Sequence, residues 1–213
     1  MKRVLVACEC SGVVREAFAK MGFDAWSCDL KDTEIPGKHV KGDVLSIIND
    51  GWDLMIAHPP CTYLTVTGNK WFKFKDGSPN LKRYQDQKEA LDFVRVLMDA
   101  PIDKIAIENP ISVISTRIRK PDQIIQPWWF GHRVAKSTCL WLKNLPLLVP
   151  TNVVDKGEFK TWVCKRTGRL KRQSMWHYEA SLSGRSREER AAIRSRTFQG
   201  IADAFAAQWG PVI

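Results

Sequence analysis

Long apolar runs are missing from this chain of 213 residues. No stretch approaches the ~20 uninterrupted apolar residues of a membrane span, and Glu9 interrupts the apolar start before a signal-peptide core could form. The protein is therefore expected to be soluble and cytoplasmic, with no membrane partner. Metal-type cysteine spacing is missing too. The six cysteines (Cys8, Cys10, Cys28, Cys61, Cys139 and Cys164) contain no Cys-x-x-Cys pair, which argues against a structural zinc site, and without a secretory segment disulfides are not expected. No metal is expected. Internal repeats and low-complexity linkers are absent, while 44% hydrophobic residues suffice for a full core and exclude disordered and fibrous classes.

Acidic residues are in deficit. Lysine and arginine number 33 against 23 acids, a net charge of +10, which points to a polyanionic partner. Between Lys156 and Arg196 stand twelve basic residues, Arg185 among them, against four acids, so this segment holds eight of the ten net charges. A basic run is often only a solvated surface, but Trp162, Met175, Trp176 and Tyr178 are interleaved here, as in an ordered, contact-making element. Residues 159–165 and 169–175, joined around Thr167-Gly168, read as a basic β-hairpin.

Apolar runs at 4–7, 23–28, 52–57 and 102–107 read as strands. A serine-capped helix is expected from Ser11 to Met21, a short helical piece after Gly42-Asp43, and a longer helix over 84–100. Further on come an aromatic turn at 126–131, a strand at 138–142, and one or two helices over 187–209 whose apolar face is Phe198, Ile201, Ala204 and Phe205. Strands alternating with helices predict an α/β fold with a mostly parallel sheet covered on both faces.

Ligands of such sheets bind at the carboxyl ends of the strands. Four polar clusters stand there: Cys8-Glu9-Cys10-Ser11-Gly12, Asp29, His58-Pro59-Pro60-Cys61 and Glu108-Asn109-Pro110. Asp29 follows the first turn by about 20 residues, where nucleotide ligands place a carboxylate on ribose hydroxyls. The first cluster has one glycine and is no Gly-x-Gly-x-x-Gly cradle, so a ligand without pyrophosphate suits it better; S-adenosyl-L-methionine is the usual one. Cys61 follows two prolines that fix the backbone. A thiol with a pKa near ~8.5 becomes a nucleophile only if its surroundings activate it. With Glu108 facing the same cleft, the pair could add a thiolate to an electron-poor ring while the acid stabilises charge on a ring nitrogen.

These residues resemble the DNA cytosine carbon-5 methyltransferases, in particular a short phage-type branch. Pro59-Pro60-Cys61 is similar to the family's Pro-Cys motif and Glu108-Asn109-Pro110 to its Glu-Asn-Val, and the order of the cofactor elements agrees over residues 3–110. The resemblance implies a Rossmann-like class I methyltransferase fold plus a small basic C-terminal recognition element, and a bacterial or phage enzyme of the restriction-modification kind. It implies that Cys61 adds to carbon 6, Glu108 holds or protonates ring nitrogen 3, Asn109 positions the loop, and Pro60 belongs to the catalytic set. Cofactor contacts fall on Ala7, Cys8, Glu9, Ser11, Gly12, Asp29, Leu30, Asp43, Val44 and Pro59. Double-stranded DNA with a flipped-out base is the implied partner. Its contacts are assigned to Lys70, Trp71, Lys73 and Lys75 in a closing loop over 62–88, to Lys136, and to Lys165, Arg166, Arg169, Lys171 and Arg172.

The chain departs from the pattern at Thr62, where the family has glutamine, and at Pro110, where it has valine. Lys136-Ser137-Thr138 is the nearest candidate for the family's Gln-x-Arg-x-Arg element, and Arg196-Thr197-Phe198-Gln199-Gly200 stands in place of its last motif. Residues 1–150 are expected to form the catalytic domain, 151–195 the recognition region, and 196–213 a helix packing back on the catalytic domain. Three other readings stay open. They are an amino-group methyltransferase acting on adenine N6 or cytosine N4, a pyrimidine nucleotide methyltransferase, and a catalytically silent DNA-binding homologue. The oligomeric state, monomer or homodimer, is left open.

Overall fold

Residues 1–182 and 186–213 are described by the computed structural model, so Arg185 of the basic segment lies outside the described residues. The chain runs β1 (Arg3–Ala7), α1 (Val13–Lys20), β2 (Asp24–Asp29), β3 (His39–Lys41), β4 (Leu54–Ala57), α2 (Leu81–Met98), β5 (Lys104–Pro110), α3 (Ile114–Arg117), β6 (Gln123–Ile125) and β7 (Thr138–Lys143). A hairpin of β8 (Phe159–Val163) and β9 (Leu170–Ser174) follows, then α4 (Met175–Glu179), α5 (Arg187–Ser195) and α6 (Gln199–Trp209). No helix among the described residues is long and apolar enough to cross a membrane.

The first seven strands form one sheet in the order β3-β2-β1-β4-β5-β7-β6. Strand β7 runs antiparallel to both neighbours, and the other pairings are parallel. This is the strand order of the Rossmann-like methyltransferase fold, as expected. The direction of winding reverses between β1 and β4, which puts the ligand crevice at their carboxyl ends.

Strand β4 is apolar at every position because both faces of the sheet are covered. Val4, Val6, Leu54 and Ile56 pack with Phe18 of α1 and with Phe205 and Trp209 of α6, whose rings stack at 4.5 Å. Leu5, Met55, Ala57 and Ile107 turn to the opposite face and meet Leu91, Val94 and Leu97 of α2. Strands β3 and β6 were not legible in the sequence. Each is a three-residue edge strand, too short and too polar to show an alternating pattern.

The expected serine cap of α1 is present but shared: Ser11 Oγ accepts from Val13 N at 3.4 Å, and Glu9 caps the next two amides. Gly12 occupies the N-cap in the left-handed region (φ 72°) without a side-chain cap of its own, and the other capping oxygens come from Glu9. Its carboxylate accepts from Val14 N (2.8 Å) and Arg15 N (3.3 Å), while Ser11 Oγ donates to Glu9 at 3.0 Å. A carboxylate satisfies the free amides at a helix N-terminus and complements its dipole better than a hydroxyl does.

Arg15 is fully buried. Nη1 donates to Ser27 Oγ (3.0 Å) and Thr33 Oγ1 (3.1 Å), and Nη2 donates to the carbonyls of Ile35 (3.0 Å) and Pro36 (2.9 Å). The guanidinium thereby fastens the β2–β3 connection to α1. Arg15→Met removes the guanidinium from the Pro36 carbonyl and from two hydroxyls, the Ile35 carbonyl keeping the Thr33 hydroxyl as a donor, and the expected loss of unfolding free energy is about 3–5 kcal/mol. Urea denaturation measures it; a change below about 1 kcal/mol would contradict the hub role.

Candidate active site

Adjacent parallel strands β4 and β5 end side by side, which brings His58, Cys61 and Glu108 together. His58 N donates to Ala7 O at 2.9 Å, continuing the ladder one residue beyond β4, and Pro59-Pro60 then turn the chain so that Cys61 lies half-buried at the cleft. Asn109 Nδ2 donates to Pro59 O at 2.8 Å, tying the two strand ends directly ahead of Pro60 and Cys61. The segment after Cys61 is held as well: Val113 N donates to Leu64 O (2.9 Å), and Thr65 bridges to Ser112.

Glu108 is half-buried, with 16% of its side chain exposed, and accepts a hydrogen bond from His58 Nδ1 at 3.1 Å; the imidazole is 10% exposed. Because β7 runs antiparallel to β5, pairing Thr138 with Pro110 and Leu140 with Glu108, the residues that open β7 lie at this same end of the sheet. Thr138 and Lys136 act on the Glu108 carboxylate from there. Burial would raise the Glu108 pKa, but the His58 hydrogen bond and charge, then Lys136 and Thr138, hold it below the usual carboxylate value. For His58 the balance is the mirror image. Burial would lower its pKa, and the Glu108 hydrogen bond and charge, aided by Glu9, raise it above the ordinary imidazole value.

Cys61 feels the same charges. Burial and the negative charge of Glu108 push the thiol up, while a backbone hydrogen bond, Lys136 and Arg194 pull it down, and the net direction is upward. The thiol is therefore protonated in the ligand-free protein near neutral pH. Neutralising Glu108 removes one of the two influences that oppose the thiolate.

Lys136, expected among the DNA contacts, is half-buried beside Glu108 and Cys61. Its Nζ donates to Arg194 O at 2.8 Å and lies 5.5 Å from the Trp176 ring and 5.6 Å from the Phe198 ring. Burial lowers its pKa, opposed by Glu108 and Cys61. His58, Thr138 and Arg194 were not among the expected site residues. His58 and Thr138 each lay within a quoted cluster without being assigned a role, whereas Arg194 reaches the site only through the fold of α5.

On the cofactor side, Cys8, Glu9, Ser11 and Gly12 form the turn between β1 and α1. Cys8 takes φ 59°, and a Cβ on Gly12 would meet Ile35 at 2.6 Å. Glu9 occupies the α1 N-terminus, so no vacant amides remain there to receive a phosphate. Ala7 is a strand residue with its side chain in the core and its carbonyl taken by His58. Asp29 and Asp43 act together on one wall. Behind burial, both raise the thiol of Cys8, to about 12, and that of Cys28, to about 11. Asp29 accepts from Lys31 N (3.0 Å) and Asp43 from Leu45 N (3.0 Å), each through Oδ1. Leu30 is 75% exposed beside them, and Val44 is buried. Two carboxylates, an apolar side chain and an acid-filled helix end fit a cationic, hydroxyl- and amine-bearing ligand such as S-adenosyl-L-methionine and reject a pyrophosphate.

The 62–88 segment is not a free loop. Residues 81–88 belong to α2, and the preceding part includes a 3-10 helix, Val66–Phe72. Arg83 Nη2 donates to Thr62 O (2.8 Å), its guanidinium lying 4.6 Å from the Tyr63 ring and 5.6 Å from that of Phe72. Lys70, Trp71, Lys73 and Lys75 remain exposed on this frame. Lys165, Arg166, Arg169, Lys171 and Arg172 are exposed on the β8–β9 hairpin, where Arg172 lies 3.9 Å over the Phe159 ring.

Neither a protein-family pattern nor a curated protein matches the chain. Among solved structures it is similar to a DNA modification methyltransferase encoded within a prophage (E. coli), at 16% identity over 73% of this chain and 52% of that one, with a TM-score of 0.45. It is also similar to a triple mutant of Spodoptera frugiperda DNMT2, at 14% identity over 74% and 57% of the two chains, with a TM-score of 0.40. The chain thus spans between half and three-fifths of the length of either structure.

The coupling of Glu108 to His58 is measurable without ligand. Glu108→Gln keeps an acceptor for Nδ1 but removes the charge, so the His58 pKa is expected to fall as burial gains weight. NMR titration of the imidazole reads this, and an unchanged midpoint would contradict the pairing. The sign for stability follows. Because the folded-state pKa of His58 is raised, its contribution is complete below the unfolded value of roughly 6.5 and is lost as pH rises through the folded value.

Proposed function

We propose that this protein is an S-adenosyl-L-methionine-dependent DNA methyltransferase that modifies carbon 5 of cytosine through Cys61. The observation that carries this reading is the convergence of a thiol and a half-buried carboxylate, electrostatically coupled, at the ends of β4 and β5 beside the switch-point crevice. A carboxyl at that place suits a ring nitrogen. A thiol beside it suits attack on the carbon three bonds away, across the ring.

In this reading Glu108 takes ring nitrogen 3 of a flipped-out cytosine. Cys61, having released its proton to solvent, attacks as the thiolate: a sulfur lone pair forms the bond to carbon 6, the carbon 5–carbon 6 π electrons shift through carbon 4, and nitrogen 3 accepts a proton. Carbon 5 becomes nucleophilic. When bound, S-adenosyl-L-methionine supplies an electrophilic methyl group to that carbon. Loss of the carbon 5 proton to a base then drives the electrons back, breaks the sulfur–carbon bond and returns the nitrogen 3 proton. Lys136 and Arg194 favour the thiolate, and Asn109 keeps the Cys61 turn in place through Pro59. The cofactor's hydroxyls and amines are assigned to Asp29 and Asp43, and its apolar contacts to Leu30, Val44 and the turn at Cys8 and Gly12.

Double-stranded DNA is the partner, presented by residues 151–195 to a catalytic domain over 1–150, with 196–213 completing its core. The exposed cations of the hairpin and the exposed Trp71 with its neighbouring lysines combine phosphate contacts with stacking surface.

Incubation with labelled S-adenosyl-L-methionine and DNA is expected to place the label on cytosine carbon 5, and Cys61→Ala is expected to lose at least about 10³-fold in rate. DNA containing 5-fluorocytosine should trap a covalent adduct with the wild type only. Full activity in Cys61→Ala would overturn the mechanism. Deleting residues 165–169 removes Lys165, Arg166 and Arg169 and is expected to flatten the salt dependence of DNA binding by roughly one unit of slope for each cation lost. Cofactor binding should persist; an unchanged DNA affinity would remove the hairpin from the interface.

A further inference from the structure

Asked to donate a proton to ring nitrogen 3, Glu108 has a difficulty. It is a half-buried carboxylate hydrogen-bonded to an imidazole and facing Lys136, partners that favour its ionised form. An ionised carboxylate has no proton to give. The proton must come from a neighbour, and the only titratable side chain hydrogen-bonded to Glu108 among the described residues is His58.

We infer that His58 is the proton reserve of the active site: a positioning residue that acts on the base only through Glu108, delivering to it from Nδ1 the proton that Glu108 passes to ring nitrogen 3. The inference rests on the carbon-5 reading and deepens it. Three observations carry it. His58 immediately precedes Pro59-Pro60-Cys61, so the fixed turn that places the nucleophile also fixes the imidazole. Its Nδ1 lies 3.1 Å from Oε2 of Glu108. Its Nε2 is buried and has no hydrogen-bond partner, whereas buried polar groups kept for structure are normally satisfied at every atom.

The groups facing the ring are Glu108 from β5, Glu9 from the β1–α1 turn and Lys136 ahead of β7, two acids against one cation. That balance favours the imidazolium. The pair then rests with one shared proton, as His58 imidazolium and Glu108 carboxylate. When Cys61 adds to carbon 6, the Nδ1–H bond breaks and an O–H bond forms at Glu108, as a proton leaves Glu108 for nitrogen 3. His58 becomes neutral, nitrogen 3 gains one proton, and the count is unchanged. Elimination of Cys61 runs the transfer backwards.

His58→Asn tests this, because the asparagine amide still offers a hydrogen bond to Glu108 but cannot titrate. Single-turnover methyl transfer at pH 7.5 is expected to fall about 10²-fold. The descending alkaline limb of the pH–rate profile should move to lower pH, where Glu108 must be protonated alone, so acidification partly rescues the variant. His58→Gln serves as the second variant, with unfolding midpoints and binding of S-adenosyl-L-methionine measured for both. A variant that folds, shows a rate within about threefold of wild type and keeps its alkaline limb overturns the inference while leaving the carbon-5 reading intact. A slow variant with an unmoved limb, which acid does not rescue, assigns His58 a merely structural role and overturns it equally. Failure of the wild type to form an adduct with 5-fluorocytosine DNA overturns the carbon-5 reading and this inference together.

Discussion

Taking a carboxylate out of water is costly unless hydrogen bonds or opposite charge replace that water, and this sheet buries one and half-buries another at its carboxyl edge. Glu9 meets the requirement with helix amides and the Ser11 hydroxyl. Glu108 meets it with an imidazole and the field of a lysine. The first of these settles where α1 starts, and with it the position of Arg15 and the β2–β3 connection that Arg15 holds. The second locks the end of β4 to the end of β5 and brings the opening of β7 against both. The cleft is thus shaped by the partners its two acids require.

The same acids set the chemistry. A negative charge beside a thiol works against the thiolate, so a site that needs both must bring compensating cations. Lys136 is supplied by the catalytic sheet, and Arg194 arrives from α5, beyond the hairpin. Division of labour along the chain is consequently less clean than the charge distribution suggests. The basic C-terminal segment is tied to this site through its backbone: the Lys136 ammonium is bonded to the Arg194 carbonyl and lies near the Trp176 and Phe198 rings. Any shift of α5 therefore moves a cation relative to Cys61.

What the sequence disclosed and what it hid follow from the range of the forces involved. Strand periodicity is local, and β1, β2, β4, β5 and β7 were legible as apolar runs; so was the basic hairpin, whose turn at Gly168 takes a left-handed φ of 64°. Edge strands β3 and β6 carry no periodic signal in three residues. The cap of α1 was half legible: the Ser11 hydroxyl accepts from Val13 N as a local cap does, whereas Glu9 reaches forward from outside the usual capping position. Cys61 and Glu108 stood out as polar groups directly after apolar runs. Their environment did not, since Lys136 reaches Glu108 only through the antiparallel return of β7, and Arg194 reaches Cys61 only through tertiary packing. His58 was in plain view, and its meaning depended on a partner 50 residues away.

The hairpin poses a last physical question. A two-stranded ribbon is marginal alone, and β8–β9 packs chiefly against α4 among the described residues. The pairing of Trp162 with Lys171 and Lys160 with Gln173 makes one face basic and aromatic; Val163 with Leu170 and Thr161 with Arg172 make the other apolar toward the tip. Its cations repel one another, and few acids lie near enough to compensate. Such an element gains order when a polyanion neutralises it, because released counterions favour the complex and the repulsion disappears. A ribbon of these dimensions also fits the major groove. Marginal stability in the free protein is then the expected counterpart of a surface suited to a polyanion.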